Sequence, residues 1–143
     1  MNKFTMYFFT NCTDSRREEE FNSWYSHIHI PDLSAATGLS SAKRYVNQDP
    51  NSKAKYVAVY EFTTENIQHS LRSFFLLVRR SFENGRHIDC IESVTSINTP
   101  LVSCYKEMDP AFIKRLPSRE YPKNVPSRLD KMEEHIQSFQ NGE

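Results

Sequence analysis

Two histidines one residue apart, His27 and His29, have the types and spacing most suggestive of chemistry in this chain. They lie in the stretch WYSHIHIPDL, directly after Trp24 and Tyr25. A neutral imidazole can bind a metal ion, and with an unperturbed pKa of about 6.5 it can also take up and return a proton near neutral pH. The stretch is therefore compatible with a metal site, a catalytic base or an ordinary helix end.

Helical spacing argues against the metal site. Phe21, Trp24, Tyr25 and Ile28 recur at i, i+3, i+4 and i+7, which predicts one apolar stripe on a helix. Residues two apart on a helix point to nearly opposite sides, so the two histidines cannot face one ion. No third ligand has suitable spacing to either histidine. We therefore predict no metal site.

His29 is the better candidate for a general acid–base. It follows Tyr25 by four residues and shares its side of the helix, whereas His27 is expected on the surface. Near the end of a helix the dipole favours the protonated form, and Asp32 could add to this effect by folding back. The alternative is that His29 is a helix-end residue bonded to nearby carbonyls.

Other side chains could complete a pocket. Arg44 and Tyr45 are neighbours on a predicted strand and must point to opposite faces. If Arg44 faces the pocket, it could hold a carboxylate or stabilise an enolate, and otherwise it is a surface or interface cation. Tyrosines on the sheet could line the pocket, although they more often serve packing. The candidate substrate contacts are Tyr7, Trp24, Tyr25, Asp32, Arg44 and Tyr60.

Composition excludes several classes of function. The 143 residues carry 18 basic and 18 acidic side chains, a balance that argues against nucleic-acid partners and anionic membranes. The longest apolar run is far shorter than the roughly 20 residues that span a bilayer. Three glycines leave no glycine-rich phosphate loop, and three cysteines without CxxC spacing predict free thiols. We expect a cytoplasmic protein without a cofactor.

A sheet and two helices must position the candidate residues. Alternation and aromatic content predict strands over 3–10, 39–47, 55–62, 92–97 and 101–108, and helical spacing predicts helices over 15–29 and 64–81. Ser15 and Glu18 have the form of a capping box, and Pro31 is expected to end the first helix near His29. This element order predicts an α+β fold, the ferredoxin-like βαββαβ arrangement with an antiparallel sheet.

Both faces of the best strand carry large apolar residues, so a second subunit is the simplest cover for the face without helices. From Asp109 the sequence becomes rich in proline. We therefore divide the chain into a domain over 1–108 and an extension over 109–143. The extension is expected to dock on the body or on the partner subunit, or else to act as a separate interaction helix. Its predicted short helix has the apolar residues Leu129, Met132, Ile136 and Phe139.

Residues 19–46 resemble the EthD-like branch of the dimeric α+β barrel superfamily. The resemblance rests on a Trp-Tyr pair, a histidine two residues before Pro-Asp, a glycine, and a strand containing Arg-Tyr. It covers the part of the chain before the extension. The matching residues are Trp24, Tyr25, His29, Pro31, Asp32, Gly38, Arg44 and Tyr45.

The resemblance implies a homodimer joined through its sheet faces, with a pocket between sheet and helices in each subunit. Known members include polyketide cyclases, cofactor-free monooxygenases, muconolactone isomerases, dehydratases and proteins without established activity. The fold is therefore better specified than the reaction. We expect a cofactor-free enzyme in which His29 moves a proton during cyclisation, dehydration or isomerisation of an aromatic or polyketide-like substrate. The alternatives are a monooxygenase of the same fold and a non-catalytic dimeric protein that binds a ligand or assembles with a partner.

Overall fold

The computed structural model describes residues 1–94 and 105–116, which form one five-stranded antiparallel sheet with helices on one of its faces. The strands are β1 (Asn2–Cys12), β2 (Leu39–Asn47), β3 (Tyr56–Thr64), β4 (Ile91–Ser93) and β5 (Tyr105–Met108). The helices are α1 (Glu18–Trp24), α2 (Ile30–Leu33) and α3 (Ile67–Glu83). A π-helical turn (Tyr25–His29) joins α1 to α2, and 3₁₀ turns cover Ser15–Arg17 and Pro110–Phe112.

The strand order is β4-β1-β3-β2-β5, and every pair is antiparallel. The predicted α+β class is confirmed, and the first four strands in this order are compatible with a ferredoxin-like sheet. The last two predicted strands lie at opposite edges, because β4 pairs with β1 and β5 pairs with β2. Parts of both predicted ranges lie outside the described residues.

The pairing register decides which of Arg44 and Tyr45 faces the helices. Arg44 lies opposite Ala58, and Tyr45 lies opposite Val57. Ala58 belongs to the buried core that the helices cover, so Arg44 points into the helix layer and Tyr45 to the other face of the sheet. The same alternation on β1 and β3 sends the following side chains toward the helices: Phe4, Met6, Phe8, Thr10, Tyr56, Tyr60 and Phe62.

The first helical segment does not end near His29 as the sequence predicts. It continues through Pro31 to Leu33, and the residues before the proline adopt the π-helical turn. Pro31 has no N–H and its ring would clash with the carbonyl four residues earlier in an α-helix, so a wider turn relieves the conflict. The N–H of Ile30 accordingly donates to the carbonyl of Tyr25, five residues back.

The helix caps also differ from the predicted ones. Asp14, rather than Ser15, caps the first helical segment, because its carboxylate accepts a hydrogen bond from the N–H of Arg16 at 3.0 Å. The Asn66 side chain accepts a hydrogen bond from the N–H of His69 and caps α3, so this helix begins later than the predicted 64–81. It also ends later, at Glu83. Both caps are residue types that favour helix starts.

The start of the extension lies along the first helical segment. The Nε2 atom of His27 is 3.0 Å from the carbonyl oxygen of Ile113, and Leu116 donates its N–H to the Ser23 hydroxyl. Lys114 and Glu19 form an ion pair at 3.2 Å. The predicted terminal helix lies outside the described residues. Within 1–94 and 105–116, no helix combines the length and apolarity needed to cross a membrane.

Candidate functional site

A narrow cavity lies between the helix-covered face of the sheet and the helices. The space open to the centre of a water-sized molecule is about 30 Å³, room for one or two waters or a small functional group. Apolar side chains make up much of the wall, with a few polar groups among them. The lining residues are Phe8, Thr10, Tyr25, His29, Tyr60, Phe74, Phe75, Val78, His87, Ile91 and Ser93.

His29 reaches this cavity from the π-helical turn and is 7% exposed. Its ring stacks on Trp24, with centroids 4.5 Å apart, and meets the edge of Tyr25 at 5.1 Å. The sequence therefore places His29 and Tyr25 correctly on the same interior side of the helix. Because α2 continues beyond it, His29 lies one turn before the helix end rather than at the end.

Four residues that carry a hydroxyl group line the same cavity from different elements: Thr10, Tyr25, Tyr60 and Ser93. Burial raises the pKa of Tyr60 well above its ordinary value, and the neighbouring Tyr25 acts in the same direction. Tyr60 therefore stays a neutral phenol that can donate a hydrogen bond. The Oγ1 atom of Thr10 is buried and has no hydrogen-bond partner among the described residues. A ligand in the cavity could supply that partner.

Arg44 lies behind this wall as a buried cation. Its guanidinium donates to the Ser26 hydroxyl at 3.0 Å and to the Asn22 side-chain oxygen at 2.8 Å. Its central carbon lies 4.6 Å from the Tyr25 ring centre, within cation–π range. Burial lowers the pKa of Arg44, while the charge of Arg44 opposes the rise in the pKa of Tyr60. Arg44 thus favours negative charge near Tyr60 without lining the cavity itself.

His87 is a second histidine in the cavity wall, which the sequence does not reveal as a site residue. It is 2% exposed and stacks on Phe82, with ring centroids 3.9 Å apart. The His87 ring also meets the edge of His29 at 5.3 Å. His87 falls in the segment NGRH, whose residue types indicate only a break after α3. His87 is buried partly by Trp24 and His29, which are distant from it in the chain.

The remaining predicted contacts lie elsewhere. Asp32 forms a double ion pair with Arg86, at 2.8 and 3.1 Å, and does not line the cavity. Trp24 supports His29 from behind and donates its Nε1–H to the Arg86 carbonyl at 2.7 Å. Tyr7 is on the other face of the sheet, where it stacks on Phe9. The structure therefore brings together Tyr25, His29 and Tyr60.

His27 points away from the cavity, as the helical spacing predicts. Besides the Ile113 carbonyl, it contacts the Arg115 guanidinium at 3.3 Å through Nδ1. The two histidines thus serve different sides of one helical segment. In the described part of the chain, no group of three or more His, Cys, Asp or Glu side chains is arranged to hold a metal ion.

Comparison of the whole chain with models of known protein families, with curated proteins and with solved structures gives no match.

The geometry defines what the cavity can do chemically. Two imidazoles, two phenols and the hydroxyl groups of Thr10 and Ser93 line a space that is apolar on most sides. Electrostatic effects are stronger in such surroundings than in water. A base beside several hydrogen-bond donors can remove a proton from carbon while the donors stabilise the oxyanion that forms.

Proposed function

We propose that the protein is a cofactor-free enzyme in which His29 acts as general acid and base on a small aromatic or polyketide-like substrate. The observation that carries this proposal is the convergence of His29 with the hydroxyls of Tyr25, Tyr60 and Thr10 in one buried cavity. The family resemblance of residues 19–46 supports the same class of chemistry. Cyclisation, dehydration and isomerisation of carbonyl substrates can each begin with removal of a proton from the carbon next to the carbonyl.

In the proposed reaction His29 takes a proton from the carbon next to a substrate carbonyl. The carbonyl becomes an enolate, whose oxygen accepts hydrogen bonds from Tyr60 and Thr10. Arg44 stabilises the negative charge from behind Tyr25, through a buried charge that water does not screen. His29 then returns the proton at another atom, which completes an isomerisation or assists the loss of water.

The space in the cavity limits how a substrate can bind. About 30 Å³ accommodates a carbonyl group, whereas a cavity that holds a benzene ring is about 150 Å³. An aromatic ring must therefore displace lining side chains when it enters. The aromatic side chains Phe8, Phe74 and Phe75 would then form the surface on which the ring packs.

The same narrowness favours a second candidate function, a non-catalytic protein that binds a small ligand or assembles with a partner. In that case the interior contacts of His29 with Trp24, Tyr25 and His87 serve packing. An oxygen-consuming monooxygenase of the same fold is a further alternative within the enzyme class. Oxygen uptake during turnover distinguishes it from redox-neutral chemistry.

We also propose that the protein is a homodimer joined through the sheet face opposite the helices. That face presents the stacked pair Tyr7 and Phe9, and Tyr45 and Val59 lie beside them. Tyr7 is 44% exposed, so a large aromatic side chain on this face is open to solvent in the single chain. A second copy of the same face would cover it.

Proton exchange tests the enzyme proposal without knowledge of the natural substrate. Small enolisable aryl ketones and aryl β-diketones are incubated with the protein in deuterated water, and loss of the α-proton is followed by NMR. The wild-type protein should accelerate exchange of at least one of them. His29→Ala should slow that exchange by about 100- to 10,000-fold, the usual contribution of a general base.

Two controls distinguish a role of His29 in proton transfer from a role in holding the fold. His27→Ala changes a histidine on the opposite side of the same helical segment and should leave the exchange rate unchanged. Added imidazole should restore part of the activity of His29→Ala, which a purely structural role would not allow. Full activity in His29→Ala would overturn the assignment, and binding of the probes without exchange would favour the non-catalytic function.

A further inference from the structure

Two thiols, Cys12 and Cys90, lie side by side where β1 and β4 pair at the end of the sheet. Their Sγ atoms are 3.8 Å apart. The backbones are tied together, because Cys12 lies opposite Ile91 and the N–H of Thr13 donates to the Cys90 carbonyl at 2.9 Å. A disulfide bond is about 2.05 Å long, so the sulfurs need to approach each other by only about 1.8 Å.

We propose that Cys12 and Cys90 are a redox-active pair that closes to a reversible intramolecular disulfide when the protein meets a hydroperoxide. This proposal does not rest on the proposed enzymatic function. Both cysteines are free thiols in the structure.

The two thiols differ in accessibility, which sets the order of the reaction. Cys12 is only partly buried, whereas Cys90 is 3% exposed. Burial and the neighbouring Cys12 raise the pKa of Cys90 to about 12, so Cys90 is protonated near neutral pH. The thiolate is the nucleophilic form of a cysteine. Cys12 is therefore the sulfur that meets the oxidant first.

In the first step the Cys12 sulfur attacks the terminal oxygen of the hydroperoxide and the O–O bond breaks. Cys12 becomes a sulfenic acid, the proton of its thiol passes to the departing oxygen, and the remainder of the hydroperoxide leaves as an alcohol, or as water when the oxidant is hydrogen peroxide. In the second step the Cys90 sulfur attacks the Cys12 sulfur and the S–O bond breaks. The departing hydroxide takes the proton of Cys90 and leaves as water. The two thiols lose two electrons, which reduce the peroxide.

A disulfide between Cys12 and Cys90 would also affect the cavity, because residues near both cysteines line it. Thr10 precedes Cys12 on β1, while Ile91 and Ser93 follow Cys90 on β4, and all three line the cavity. Three residue pairs join β1 and β4 in the described part of the chain. A covalent bond at the end of this short ladder would hold β4 against β1 and fix that wall of the cavity.

The bond should also stabilise the fold. The cysteines are 78 positions apart in the sequence, so a bond between them closes a long loop and restricts the unfolded chain strongly. The oxidised protein should therefore melt at a higher temperature than the reduced protein. This increase should disappear on addition of dithiothreitol.

The test uses the full chain with Cys104→Ser, which leaves Cys12 and Cys90 as its two thiols. After treatment with hydrogen peroxide, thiols are counted in denaturant, and the intact mass is measured without reducing agent. We expect both thiols to be lost, the mass to fall by two hydrogen atoms, and digestion to yield one peptide pair joined through Cys12 and Cys90. Dithiothreitol should return both thiols.

Two single-thiol variants complete the test. Cys90→Ser with Cys104→Ser should accumulate a Cys12 sulfenic acid that dimedone traps, because the second sulfur is missing. Cys12→Ser with Cys104→Ser should keep its remaining thiol under the same treatment, because Cys90 is buried. The proposal is overturned if the two-thiol protein keeps both thiols, if Cys12 is oxidised to sulfinic acid while Cys90 stays reduced, or if the chains become linked to each other.

Discussion

His29 stacks on Trp24 with ring centroids 4.5 Å apart and ring planes 20° from parallel. The tryptophan is in turn held by its own hydrogen bond to the Arg86 carbonyl. An aromatic wall therefore fixes the plane of the imidazole, and a fixed base needs less reorganisation when it accepts a proton. Trp24, predicted as a substrate contact, does not line the cavity and supports the His29 ring from behind.

Replacement of Trp24 by phenylalanine should weaken this arrangement. The smaller ring leaves a gap in a fully buried site and removes the donor to the Arg86 carbonyl. We expect the free energy of unfolding in urea to fall by about 2 to 3 kcal/mol. The proton-exchange rate should fall as well. Leu33→Ala, also in a fully buried site of the same helical segment but outside the cavity lining, is the control for stability loss alone. An equal loss of exchange in both variants would contradict a positioning role for Trp24.

The buried phenol of Tyr60 should make the stability of the fold depend on alkaline pH. Its pKa is well above the ordinary value in the folded chain, while in the unfolded chain it is about 10. Below about pH 10 both states keep the proton, and above it the unfolded chain alone loses the proton. The free energy of unfolding should therefore fall as pH rises, by up to about 1.4 kcal/mol per pH unit.

The phenylalanine variant isolates this effect. Tyr56 and Cys90 also have raised pKa values and add slopes of the same sign. Urea unfolding of the wild type and Tyr60→Phe is therefore compared at several values between about pH 8 and pH 11. The variant should lose less stability over this range. Parallel curves for the two proteins would show that the Tyr60 hydroxyl ionises normally in the folded chain.

Substitution of Asp32 should change the proton-exchange rate little. Its ion pair with Arg86 is partly exposed, with 27% of the Asp32 side chain and 51% of the Arg86 side chain open to solvent. Water screens such a pair, so Asp32→Asn should lower the free energy of unfolding by about 1 kcal/mol or less. Arg86→Gln, which breaks the same pair from the other side, should have a similar effect. Loss of proton exchange in Asp32→Asn alone would instead support a direct substrate contact.

Substitution of His27 should loosen the start of the extension and leave the cavity unaffected. Because it contacts both Ile113 and Arg115, His27→Ala should free the start of the extension. Trypsin should then cleave after Lys114 or Arg115 faster than in the wild type, as measured by mass spectrometry. Ser23→Ala, which removes the acceptor for the N–H of Leu116, should act in the same direction. Unchanged cleavage in both variants would show that these contacts do not hold the segment.

The proposed dimer can be tested with two matched surface changes. Tyr7 on the open sheet face and Leu76 on α3 are 44% and 46% exposed, so lysine is easily solvated at either position in a monomer. If the sheet faces join two subunits, Tyr7→Lys should shift the protein toward the monomer in sedimentation measurements. The Leu76→Lys variant should sediment with the same oligomeric mass as the wild-type protein. The interface is elsewhere if neither or both variants dissociate.

The parts of the fold that the sequence predicts well are those with strong local patterns. Alternating side chains place β3 within a residue or two of its observed bounds, and helical spacing places Tyr25 and His29 on one side. The sequence does not decide between Arg44 and Tyr45, because alternation says only that they point apart. Pairing with Ala58, a contact distant in the chain, makes the choice.

Other features of the site depend on contacts that local patterns do not encode. His87 lies in an irregular segment, and its burial follows from stacking on Phe82 and meeting the edges of Trp24 and His29. Nothing in the sequence around Asp32 identifies its ion-pair partner Arg86, which lies 54 positions away in the chain. Pro31 is a strong signal for a helix end, yet a wider turn before it lets the helix continue.

That wider turn has a consequence for the alignment of this segment with any other sequence. A π-helical turn contains one residue more than the α-helical turn it replaces, so it is the structural form of a single-residue insertion. Removal of one residue between Tyr25 and His29, together with replacement of Pro31, should give an uninterrupted α-helix. Deletion of the extra residue leaves the helical segments on either side of it in nearly the same relative orientation, so the imidazole would still lie over the cavity. An alignment of this region therefore needs a one-residue gap placed by structure, since a gap placed elsewhere would equate His29 with a residue on another face.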